Sequence, residues 1–88
     1  MLEIEVEIMN RAGMHTRPAA SLVKLSASFK SEIFLIKDGF SINAKSIIGV
    51  MTLAAAQHTK LILKVEGEDE NKAAKEIAEL FKNGFGEL

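Results

Sequence analysis

Residues Leu2 to Ile8 read LEIEVEI. Leu2, Ile4, Val6 and Ile8 alternate there with Glu3, Glu5 and Glu7. Successive side chains of a strand point to opposite faces, so this stretch reads as a strand with one apolar and one charged face. Such a strand suits a sheet covered on one side only. Sheets of that kind are antiparallel, because parallel sheets bury both faces. The same period returns from Thr59 to Val65, with Leu61, Leu63 and Val65 on one face and Lys60, Ile62 and Lys64 on the other. Glu32 to Lys37 (EIFLIK) reads as a further strand, Asp38-Gly39 as a hairpin turn, and Phe40 to Asn43 as the short strand that follows it.

Between these strands the apolar period lengthens. From about Thr16, Ala19, Leu22, Val23, Ala27 and Phe29 fall at helical spacing, with Lys24 and Ser28 off that face. Pro18 suits the first turn, where a missing N–H costs nothing, and His15 or Thr16 stands at the N-cap. Ser46 is placed to cap a second helix, Ile47 to about Ala55. After Gly67, Asp69 or Glu70 opens a third, with acidic residues against its N-terminal dipole. Its apolar face is Ala73, Ala74, Ile77, Leu80 and Phe81, and Asn83-Gly84 closes it. The order β-α-β-β-α-β-α predicts an α+β open-faced sandwich: a four-stranded antiparallel sheet with three helices on one face. With no repeat, linker or low-complexity stretch, residues 1–88 read as one domain.

Composition narrows the function. A net charge of −1 and a pI of about 6.1 argue against a nucleic-acid surface. Five Phe with neither Trp nor Tyr leave few rings for stacking bases. With no Cys there is no disulfide frame, thiol nucleophile or Cys-based zinc site. No metal or cofactor is expected. The N-terminal stretch has no apolar core of a signal peptide. No apolar run approaches the ~20 residues a membrane span needs. A soluble cytoplasmic protein, not inserted in a membrane, is the expectation.

The segment from Ala12 to Ala20, AGMHTRPAA, asks for a chemical explanation. Its histidine falls where a helix begins. A helix N-terminus offers unpaired N–H groups and a partial positive charge, a combination that binds phosphate. His15 supplies a nucleophilic nitrogen, Arg17 a guanidinium fork for phosphate oxygens, and Gly13 a tight, exposing loop. The backbone at Thr16 and Arg17 would cradle the group. Spacing alone also admits the plainer reading, in which His15 caps a helix and Arg17 is a solvated surface residue. A second cluster, AKSIIGVM from Ala44 to Met51, puts Ile47 and Met51 on one helical face with Ile48 beside them. These are either core residues or an apolar docking patch, and Ser46 reads by default as a cap.

The two segments together decide between those readings by resemblance. Gly13 to Ala20 (GMHTRPAA) resembles the active-site signature GlHxRPAa of the HPr family, the histidine-containing phosphocarriers of the bacterial phosphoenolpyruvate-dependent sugar phosphotransferase system. Lys45 to Met51 (KSIIGVM) resembles that family's second signature, around a regulatory serine, and Val65 to Glu70 (VEGEDE) a third recurring stretch. The resemblance covers essentially the whole chain. It implies that Enzyme I passes a phosphoryl group to Nδ1 of His15, held by Arg17 and the backbone at the helix start, and that an EIIA domain of a sugar permease receives it. It implies HPr kinase/phosphorylase as a further partner, acting on Ser46. Partners would dock on Ile47, Ile48 and Met51 together with Thr16, Ala20 and Lys24, and the carrier would be a monomer. Many relatives have glycine near Ala54 and His58, where this chain reads LAAAQHTKL; the difference bears on loop geometry and not on the site. His58 reads as a solvated loop residue. The alternatives are a carrier in a regulatory or nitrogen-related branch of the same system, a ferredoxin-like binding module without phosphoryl chemistry, and a small acyl-phosphate hydrolase. The last lacks an evident general base.

Overall fold

The computed structural model describes residues 1–87. Strands β1 (Leu2–Glu7), β2 (Glu32–Lys37), β3 (Phe40–Asn43) and β4 (Lys60–Glu66) are interleaved with helices α1 (Thr16–Ala27), α2 (Ile47–Thr52) and α3 (Glu70–Lys82). A 3-10 turn, Gly84–Gly86, follows α3. Every strand pair is antiparallel, in the order β1-β4-β2-β3. The element order and sheet type are those expected from the sequence.

The register explains the alternation. Ile4 faces Leu63 and Val6 faces Leu61, while Ile33 and Leu35 face Val65 and Leu63 from the other side. These apolar rows form one continuous face, and Val6, Ile33, Leu35, Ile42, Leu61, Leu63 and Val65 are buried beneath the helices. On the open face Glu3 lies opposite Lys64 and Glu7 opposite Lys60, so cross-strand neighbours carry opposite charge. Asp38 (φ 51°) and Gly39 (φ 81°) turn β2 into β3 with two left-handed residues, as a two-residue hairpin requires.

Helix α1 buries Pro18, Ala19, Leu22 and Ser26. Ala27, expected on that face, is exposed, and Ser26 takes its place. The steps 19, 22, 26 and 29 follow the helical period; position 27 drifts off the stripe. Helix α2 stops at Thr52, short of the expected Ala55. Ala54 has φ 48°, in the left-handed region, where a right-handed helix cannot continue. Leu53 and Ala55 are still buried, so this turn contributes to the core without being helical. Helix α3 buries Ala73, Ala74, Ile77 and Phe81, with Leu80 half-buried at its border. Before it, the Asp69 carboxylate accepts hydrogen bonds from the backbone N–H groups of Lys30 and Ser31, each at 2.9 Å, and from the Ser31 hydroxyl. The Ser31 hydroxyl foremost, then these backbone donors, lower the Asp69 pKa from 3.8 to about 2.

Candidate functional site

The segment between β1 and α1 is built around a buried amide. Asn10 is fully buried, and its Nδ2 donates to the Gly13 carbonyl at 2.8 Å. Gly13 has φ +76°, and a Cβ there would stand 2.7 Å from the backbone oxygen of Ala55. Only glycine fits both the conformation and the approach. Met14 then donates its N–H to that same Ala55 oxygen at 2.8 Å and buries its side chain. The loop is thereby fixed at both ends, and the next residue emerges at the surface.

That residue is His15, the N-cap of α1, in extended conformation (φ −103°, ψ −169°). Its carbonyl accepts the first helical bond, from Ala19 N–H at 3.0 Å. Its side chain makes no cap bond, so the plainer reading of His15 as a capping side chain does not describe it. The ring is 42% exposed, and its Nε2 lies 3.1 and 3.0 Å from the two carboxylate oxygens of Glu87. Arg17 is 82% exposed, with Nη1 3.9 Å from Glu87 Oε2. Thr16 and Arg17 are the first two residues of α1, ahead of its first intrahelical bond, and Pro18 has no N–H to satisfy. His15, Arg17, Glu87, Arg11 and Ala12 line one open basin of about 390 Å³.

Two of these lining residues, Arg11 and Glu87, escape the sequence reading. Arg11 stands four positions before His15, within reach of a motif-based search. Glu87 has no local signal, because the β-sheet and α3 bring it to His15 from the other end of the chain. The Glu87 carboxyl is held below its ordinary pKa, first by the hydrogen bond from His15, then by that from Asn10 Nδ2 at 2.9 Å, with the Arg17 charge adding to both.

The second cluster lies on α2. Ser46 is its N-cap, and its hydroxyl accepts from Gly49 N–H at 3.1 Å. Ile47, Ile48 and Met51 are exposed by 41%, 75% and 38%, while Val50 is the residue of α2 that enters the core. Thr16, Ala20 and Lys24 are exposed along α1, which packs against α2. His58 is exposed, with Nδ1 3.0 Å from a Glu7 carboxylate oxygen, on the rim of the sheet and outside the basin. No group of three or more His, Cys, Asp or Glu side chains that could hold a metal occurs among the described residues. No helix among them is long and apolar enough to cross a membrane.

The sequence model of the phosphotransferase-system HPr component, described as its phosphorylation site, matches residues 2–83. The chain belongs to the HPr family. Phosphocarrier protein HPr of Treponema pallidum is 49% identical over 93% of each chain. That of Xylella fastidiosa is 45% identical over 99% of this chain and 98% of its own. Among solved structures, HPr of Thermoanaerobacter tengcongensis superposes with a TM-score of 0.96 at 42% identity, covering 100% of this chain and 99% of its own. The same bacterium's HPr is also known as a dimer, to which the TM-score is 0.79 at the same identity. A phosphocarrier of the phosphotransferase system, on the α+β open-faced sandwich read from the alternating strands, is what this family membership establishes.

Proposed function

We infer that this HPr accepts a phosphoryl group on Nδ1 of His15 from Enzyme I and delivers it to EIIA domains serving sugar uptake. One observation carries the reading: an exposed imidazole at a helix N-cap, its side chain free of capping duty, in a basin that two arginines line. Thr16 and Arg17 offer the backbone N–H groups of the helix start, and the helix dipole favours the added anion by about 0.3–1 kcal/mol. So modest a gain suits a group that must leave again. The exposed Ile47, Ile48 and Met51, with Thr16, Ala20 and Lys24, form the surface on which both partners dock in turn. Ser46, at the head of that patch, is the site of regulatory phosphorylation by HPr kinase/phosphorylase. The carrier works as a monomer in the cytoplasm, and sedimentation at micromolar concentration distinguishes this from the dimer known for the Thermoanaerobacter relative.

The test is incubation with Enzyme I and labelled phosphoenolpyruvate. One acid-labile, base-stable phosphate per chain is expected, and none on His15→Ala. Label that persists on His15→Ala, at His58 or elsewhere, refutes the assignment.

A further inference from the structure

The basin holds an anion of the protein's own. Glu87 Oε2 and Oε1 lie 3.0 and 3.1 Å from His15 Nε2. An ionised carboxylate can only accept, so the imidazole nitrogen facing it must carry a proton. In a neutral ring the lone pair then resides on Nδ1. We propose that Glu87 is the positioning residue for phosphoryl acceptance: it holds the His15 Nε2–H, leaves Nδ1 as the free nucleophilic nitrogen, and stabilises the ring charge that develops during transfer. The proposal rests on the carrier reading of His15.

Three features show that the carboxylate is placed and not merely nearby. Buried Asn10 donates from Nδ2 to Glu87 Oε1 at 2.9 Å while its own amide is anchored on the Gly13 carbonyl. Behind Glu87, the Gly84–Gly86 turn is pinned by Phe85, which is buried, holds a left-handed φ of 57°, and packs edge-to-face on Phe81 at 4.9 Å between ring centroids. A bulky residue adopts that φ only where its surroundings impose it. The Glu87 side chain is 15% exposed, so water competes little for its oxygens.

The step balances without any further reactant. The Nδ1 lone pair forms the N–P bond as the bond from phosphorus to the leaving atom of phosphorylated Enzyme I breaks, its electron pair staying with that atom. The Nε2 proton does not move. The positive charge gained by the ring lies against the Glu87 carboxylate, as the imidazolium of a Ser-His-Asp triad lies against its aspartate. Arg17, 3.9 Å from Glu87 Oε2, exchanges that long contact for the incoming phosphoryl oxygens.

The experiment compares the full-length protein with Glu87→Ala and Glu87→Gln by ¹⁵N NMR of the imidazole and by initial rates of acceptance from Enzyme I. In the native protein the His15 ring should show a protonated Nε2, with its proton slow to exchange, and an unprotonated Nδ1. Glu87→Ala should lose the slow exchange and mix the tautomers. Both variants should accept the phosphoryl group on the order of tenfold more slowly at saturating donor, with KM unchanged and the fold retained. A native ring protonated on Nδ1 overturns the proposal whatever the label does. So does an unchanged rate in a variant whose ring signals have altered, since the contact would then be structural only. A native protein that takes no label refutes the carrier reading instead, and the ring spectrum still decides what Glu87 holds.

Discussion

At the scale of single residues, backbone conformation sorts the loop positions. Ala54 and His58 both hold left-handed φ values, 48° and 72°, in the loop where the family resemblance implies glycine. The loop keeps a glycine-like path with side chains that resist it. Ala54→Gly should therefore stabilise the protein by roughly 1 kcal/mol, seen as a raised denaturant midpoint with unchanged slope. Gly13→Ala should do the reverse. Its new Cβ meets backbone and not a yielding side chain, and a loss of about 2 kcal/mol or more is expected by the same measurement. That His15 and Arg17 stand at a helix start behind a tight turn at Gly13 was legible in eight consecutive letters, because a helix start is local. Glu87 and Asn10 were not. A glutamate that meets a histidine from the far end of the chain leaves no trace in spacing, and a buried Asn is indistinguishable from a loop Asn until the fold surrounds it.

At the scale of elements, α2 is a short helix held by one buried side chain and one cap. Replacing Ile47 or Met51 by Glu should change stability by no more than roughly 0.5 kcal/mol, because both side chains are exposed. The same variants should weaken Enzyme I binding, read by titration, and unfolding of either would return these residues to the core. Ser46 separates two effects. Ser46→Ala removes the acceptor for Gly49 N–H and should cost about 1 kcal/mol, whereas Ser46→Asp keeps an acceptor and adds charge at the favourable helix end. A thermal melt should show a lower midpoint for the first and none for the second. If Ser46→Asp nonetheless slows acceptance from Enzyme I, the loss lies in covering a hydrated anion beside Ile47 and Ile48. Periodicity placed every strand and helix. It overran α2 because apolar letters continue to Ala55 while the backbone turns left-handed at Ala54, and it mistook Ala27 for Ser26 because small residues carry little burial preference.

At the scale of the whole molecule, the layers are joined by carboxylates as well as by the core. Asp69 ties the start of β2 to the head of α3 and titrates near 2 in the folded chain against 3.8 as a free side chain. A depressed pKa contributes stability that is fully present above about pH 4 and fades as pH falls through about 2. Glu70 and Glu87 are lowered in the same direction, so what they contribute is likewise lost as the pH falls. Asp69→Asn should flatten the acid limb of the stability curve, measured by urea unfolding between pH 5 and pH 2, and an unaltered limb would show that Asp69 is not the tie. The open-faced architecture was readable because its strands carry the evidence on alternate residues; the strand order was not, since which strands become neighbours depends on pairings between distant segments. That order has a consequence in time. β1 has one neighbour, β4, and Leu2 meets Val65. As a ribosome delivers the chain, the first strand to appear waits for the last, with its backbone donors and acceptors open to any passing edge. The sheet can close only when β4 has emerged, so a nascent chain arrested before Lys60 should resist neither protease nor aggregation, while one arrested after α3 should resist both.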